Sequence, residues 1–129
     1  MIFDVDFFKN VNDTYGHQNG DLVLKAISGK ATEIKRNTDL LARYGGEEFV
    51  MVMPQTELMG ALVIAERLRQ AIEEMDSPLD GHILKMTVSI GVAAWGPHSM
   101  DMTIDKLFKL ADQALYTAKN SGRNRVASA

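Results

Sequence analysis

The sequence predicts an α+β domain whose helices pack largely on one face of a β-sheet. Three observations carry this. Apolar residues alternate with small polar ones from Met86 to Val92, two β-favouring runs flank Gly45-Gly46, and residues 57–75 and 103–119 place apolar side chains at helical spacing.

Met1 to Asp6 reads as a short strand through Ile2, Phe3 and Val5, ending in a polar turn with its acids at the carboxyl end. Residues 21–36 read as a helix carrying Leu22, Val23, Ala26, Ile27, Ala31 and Ile34, weakened by Gly29 and capped by Asp21. Leu40 to Tyr44 and Glu47 to Met53 form a hairpin, Gly45-Gly46 making a two-residue turn at positive φ. After Pro54-Gln55-Thr56, Leu58, Ala61, Leu62, Ala65, Leu68 and Ile72 share one helix face. Met86, Val88, Ile90 and Val92 alternate with Thr87, Ser89 and Gly91 in a strand. A last helix runs through Leu107, Leu110, Ala111, Ala114, Leu115 and Ala118, and Arg125 to Ala127 suggest an edge strand. No repeat or linker interrupts this order, so 1–129 reads as one domain.

With 129 residues and 46% hydrophobic content, the chain can bury one core. It has no cysteine, which excludes disulfides and thiolate metal sites and fits a cytoplasmic setting. No apolar run approaches the ~18 residues of a membrane span, and Asp4 and Asp6 exclude a signal peptide. A net charge of −3 argues against broad binding to nucleic-acid backbone. A mononucleotide needs only a few local cations and remains open.

Asp4 and Asp6 share one strand face, and the hairpin can bring Glu47 and Glu48 to the same end of the sheet. Clustered carboxylates repel unless cations neutralise them, and hard oxygen ligands suit Mg²⁺. An isolated pair of this kind would simply be solvated. Two glycines beside the acids let a bulky ligand approach the backbone, although the pattern alone equally describes a plain turn.

Five ordered blocks, the first spanning residues 4–21, sharpen the reading. Asp4-Val5-Asp6-Phe7-Phe8-Lys9, Asn12-Asp13, Gly16-His17 and Gly20-Asp21, then Arg43-Tyr44-Gly45-Gly46-Glu47-Glu48-Phe49, resemble the GGDEF family of diguanylate cyclases in its GGEEF variant. Val88-Ser89-Ile90-Gly91-Val92, Ala111-Asp112-Gln113-Ala114-Leu115-Tyr116 and Lys119-Asn120-Ser121-Gly122-Arg123-Asn124 are similar to its closing segments. The resemblance implies a mainly antiparallel sheet with flanking helices, like nucleotidyl cyclases and polymerase palms, on a ferredoxin-like βααββαβ core. It also implies that the family's amino-terminal helical segment is missing from this chain.

For function, the resemblance implies that two GTP on two facing domains of a homodimer are joined into cyclic di-GMP, releasing two pyrophosphates. Asp4, the Val5 carbonyl and Glu47 would hold two Mg²⁺, or Mn²⁺ in its place, with Glu47 or Glu48 accepting the 3′-hydroxyl proton. Asn12 and Asp21 would read guanine, a carboxylate accepting from its N1–H and N2 amino group. Lys119 and Arg123 would bind phosphate, Lys9 would offset charge in the transition state, and amides around Phe7 and Phe8 would cradle the terminal phosphates. Gly45 and Gly46 would leave room for GTP. Arg36-Asn37-Thr38-Asp39 lies where the family binds inhibitory product, with Arg67 as a secondary arginine. A sensory or receiver domain would precede the domain in the full protein, with no membrane contact by the domain itself. Two rival readings are a non-catalytic GTP or cyclic di-GMP receptor and an interaction domain with a relic site.

Overall fold

The computed structural model describes residues 1–79 and 81–129. Its elements run β1 (Ile2–Val5), α1 (Phe8–Tyr15), α2 (His17–Ile34), β2 (Leu40–Arg43), β3 (Glu48–Val52), α3 (Leu58–Glu74), β4 (Ser77–Leu79), β5 (His82–Leu84), β6 (Val88–Val92), α4 (Ile104–Asn120) and β7 (Val126–Ser128). Five strands form a sheet in the order β2-β3-β1-β6-β7. Every pairing is antiparallel except β6 with β7. The expected α+β architecture is met, the tail adds the parallel edge strand β7, and β4 and β5 form a separate hairpin that the sequence did not announce.

Alternation along β1 sends Phe3 and Val5 to one face and Ile2 and Asp4 to the other. Phe3 and Val5 join a large core with Phe49, Met51, Val88 and Ile90, beneath Val23, Ile27 and Ala31 of α2 and Ala65, Leu68 and Ile72 of α3. The Phe3 and Phe49 rings stack at 5.1 Å and 11°. Each of the larger of these side chains contributes roughly 1.5–3 kcal/mol when buried, so this face dominates the stability. The opposite face carries only α4, over a smaller cluster of Ile2, Ala111 and Leu115. Helices therefore lie on both faces, three against one. The reason is visible in β6: a Cβ on Gly91 would sit 2.2 Å from the Ala111 carbonyl oxygen and 2.3 Å from the Leu115 nitrogen. Only glycine lets α4 approach that closely.

Three local expectations are corrected. The stretch after Asp6 is helical, because Phe8 and Val11 are buried one turn apart and give α1 an apolar stripe. Asp21 is therefore not a helix cap: α2 starts at His17 behind Gly16, whose φ of 86° turns the chain between the two helices. A Cβ on Gly20 would lie 1.9 Å from Asn12 Oδ1, so this glycine, too, permits a close contact, here between α1 and α2. The hairpin also differs. Neither Gly45 nor Gly46 has positive φ, and residues 44–47 form a longer loop closed by Tyr44 and Gly45 amides donating to the Glu48 carbonyl.

Candidate active site

Strand β1 is central and ends where α1 begins, so its acids emerge at one end of the sheet. Asp4 stands opposite Glu48 on β3 and Ser89 on β6. The Val5 amide donates to the Glu47 carbonyl at 3.2 Å, tying the hairpin loop to the end of β1. From the last turn of α4, where a cation suits the helix dipole, Lys119 Nζ donates to Asp4 Oδ2 at 2.6 Å. Asp4, Val5, Phe7, Phe8, Lys9, Glu47, Lys119 and Arg123 thus line one cleft of about 220 Å³. Larger hollows of about 610 and 390 Å³ lie toward the other end of the sheet, around Gln55, Thr56 and Trp95, and lack this pairing of acids with cations.

Electrostatics in the cleft are strained. Burial pushes the Asp4 carboxyl above the usual carboxylate range, and Glu47 and Asp6 push the same way, more than Lys119 pulls it down. Burial likewise raises the Glu48 carboxyl, helped by Asp4 and Asp112. Such under-compensated oxygens gain from a divalent cation. Among the described residues no three acidic or imidazole side chains form a metal cage. Mg²⁺ does not need one, since it keeps water and substrate phosphate as ligands, so Asp4, Glu47 and the Val5 carbonyl fit it.

Other predicted residues lie outside this cleft. Asn12 is on α1 with Oδ1 buried and unbonded against Gly20 of α2, and Asp21, the next residue of α2, is exposed. Glu48 borders β3 beside Asp4 but does not line the cleft. Gly45 and Gly46 are exposed, and a Cβ on either would meet nothing closer than 3.9 Å. Nothing among the described residues demands glycine there.

Arg36 and Asp39 close a small loop. Both Asp39 oxygens accept from the Arg36 guanidinium, Oδ2 also accepts the Arg36 amide at 2.8 Å, and the Asp39 side chain is fully buried. Burial pushes the Asp39 carboxyl up, but these bonds outweigh it and hold the group below its usual range. In this state the carboxylate is committed to Arg36, while the arginine, which also contacts Thr56, stays partly exposed. Arg67 is exposed on α3 without a bond to either.

Three features were missed. Arg43 donates to the carbonyls of Gly45 and Gly46, at 2.7 Å for its shortest bond, and so holds the hairpin loop. Arg69 donates to Asn124 Oδ1 at 2.9 Å, linking α3 to the turn after α4. Asp6 is buried and bonded to Thr87, Ser89 and Asn124. The polar face of the strand at Thr87 and Ser89 was the available signal, since Ser89 is fully buried and needs a partner.

The family model described as diguanylate cyclase, GGDEF domain, matches residues 1–125. Diguanylate cyclase DgcM of Escherichia coli K12 is 46% identical over 129 residues, all of this chain and 30% of that protein. Diguanylate cyclase A of Treponema denticola is 43% identical over 127 residues, 98% of this chain and 33% of that protein. The chain thus spans about a third of the length of these relatives. The crystal structure of the GGDEF domain of DgcB from Caulobacter crescentus, in complex with c-di-GMP, superposes with a TM-score of 0.91 at 32% identity, covering 98% of this chain and 74% of that one. Matched over nearly its whole length in both sequence and fold, the chain belongs to the GGDEF-domain family of diguanylate cyclases.

Proposed function

We propose that the chain condenses two GTP into cyclic di-GMP and two pyrophosphates, one GTP being held by each domain of a homodimer. The observation that carries this is the cleft where Asp4 and Glu47 meet Lys119, Lys9 and Arg123 at the end of β1. Two Mg²⁺, or Mn²⁺ in its place, held by Asp4, Glu47 and the Val5 carbonyl, would polarise the α-phosphate and acidify the attacking 3′-hydroxyl. Lys119 and Arg123 bind the phosphates, Lys9 offsets charge that develops on them, and the amides of Phe7 and Phe8 face the terminal phosphate. Glu47 lines the cleft and Glu48 does not, which supports Glu47 as the proton acceptor.

Guanine binds at the α1–α2 contact. The unbonded Asn12 Oδ1 supports this, being a buried acceptor that none of the described residues serves. Asp21 accepts from the guanine donors and favours GTP over ATP. The glycines of the hairpin support the reading from the other side: positive φ and crowding within the chain both fail to explain them, which leaves approach by a ligand.

Product inhibits at Arg36, whose exposed guanidinium forks onto phosphate or guanine while Asp39 holds it in place, with Arg67 as an auxiliary cation. The greater length of the relatives supports a partner domain that pairs two copies. A pure receptor would need Arg36 and Asp39 but not the acidic cleft, so the cyclase reading is preferred.

The test fuses the chain to a dimerising coiled coil and follows GTP with Mg²⁺ by chromatography. Cyclic di-GMP with two pyrophosphates per product is expected, and a dimer that makes none refutes the enzyme reading. Calorimetry with cyclic di-GMP tests the inhibitory site separately: binding should be lost in Arg36→Ala, and unchanged binding removes that assignment.

A further inference from the structure

Asp6 is 5% exposed and accepts three hydrogen bonds. Ser89 Oγ donates to Oδ1 at 2.7 Å, and Oδ2 takes both Thr87 Oγ1 at 2.7 Å and the Asn124 amide at 3.0 Å. The last of these reaches from the end of β1 to the turn between α4 and β7. That turn is unusual: Gly122, Arg123 and Asn124 have φ of 120°, 62° and 46° in succession. Side chains disfavour this region, so something outside the turn must hold it. The turn also places the Arg123 guanidinium carbon 4.8 Å from the centre of the Phe7 ring, and Phe7 is itself left-handed at φ 57°. Both residues line the acidic cleft.

We infer that Asp6 is a positioning residue for the phosphate end of the site: it latches the left-handed Arg123–Asn124 turn to β1, and thereby sets Arg123 against Phe7 at the cleft. The inference rests on the assignment of Arg123 to phosphate made above. A carboxylate is needed because both oxygens act only as acceptors. An amide keeps one acceptor oxygen and no charge: a hydroxyl of Ser89 or Thr87 can turn to accept from its Nδ2, but the Asn124 amide can only donate and loses its charge-assisted bond.

Calorimetry in Mg²⁺ on the whole chain tests it, using GTP and guanosine with the unsubstituted protein, Asp6→Asn, Arg123→Ala and the double variant. Asp6→Asn is expected to weaken GTP by about tenfold and leave guanosine unchanged, the loss being of one charge-assisted bond. In the Arg123→Ala background the same change is expected to add less than about twofold, the mark of residues acting as a unit. Fully additive losses, or an equal loss for guanosine, overturn the inference. Thermal melts check folding; if Asp6→Asn is unfolded, Thr87→Val decides, since it removes one donor and keeps the strand's shape. A selective loss of GTP affinity there supports the latch, and no change or a uniform loss overturns it. An unsubstituted chain that binds no GTP overturns the functional reading itself, a result distinct from binding that is insensitive to Asp6.

Discussion

Asp4 is a carboxylate held against its own comfort in the cleft. Its carboxyl is raised, so ionising it in the fold is unfavourable: the penalty is absent below the unfolded-state pKa and grows as pH rises toward the folded one. Asp4→Asn removes that penalty. The variant is expected to melt no lower than the unsubstituted chain at neutral pH while losing the stabilisation that GTP with Mg²⁺ confers, which differential scanning fluorimetry reads directly. Asp39 has the opposite sign. Its depressed carboxyl stabilises the fold above the ordinary aspartate range and ceases to do so as pH falls through the folded value. Asp39→Asn is expected to cost about 1–3 kcal/mol in neutral urea melts by leaving donors of Arg36 unmet, and to flatten the acid limb of stability. Asp21 tests specificity instead: Asp21→Ala is expected to reduce the preference for GTP over ATP by at least about tenfold in competition binding, because guanine donors lose their acceptor.

The elements that position these residues were unevenly legible. Alternation from Met86 to Val92 and the apolar spacing of α3 and α4 follow from burial on one face, so they stood out in the sequence. First-turn signals were weaker. Helix α1 is rich in Asn and Asp, residues that also build turns, and its stripe is short. Strands β4 and β5 have three residues each, too few for a period to emerge. The glycines of the hairpin signalled a turn correctly and its length wrongly, since Arg43 supplies the closure that positive φ would otherwise give. The residues that line the cleft were legible through their order in the chain. The Asp6 network was not, because its donors lie more than eighty residues away. Gly91 offers a test at this scale: Gly91→Ala places a Cβ against the α4 backbone and is expected to destabilise the chain by about 1–3 kcal/mol or more in urea melts, with α4 displaced. A melt within error of the unsubstituted protein would show that α4 can retreat freely.

Across the whole molecule, the chemistry gathers at one end of the sheet because β1 lies at its centre. The β2–β3 hairpin, the β1–α1 loop and the end of α4 all meet there, bringing acids from β1 and the hairpin loop and cations from two helices and a turn into one cleft. One cleft offers room for one triphosphate, so the proposed joining of two nucleotides would require two copies facing each other. No helix among the described residues is long and apolar enough to cross a membrane. The most direct measurement is the conversion of GTP to cyclic di-GMP by forced dimers, run in parallel on the unsubstituted chain and Asp4→Asn. Product from the first and a rate at least about a hundredfold lower from the second is the expected result. Equal rates from the two, or no product from either, would contradict the account.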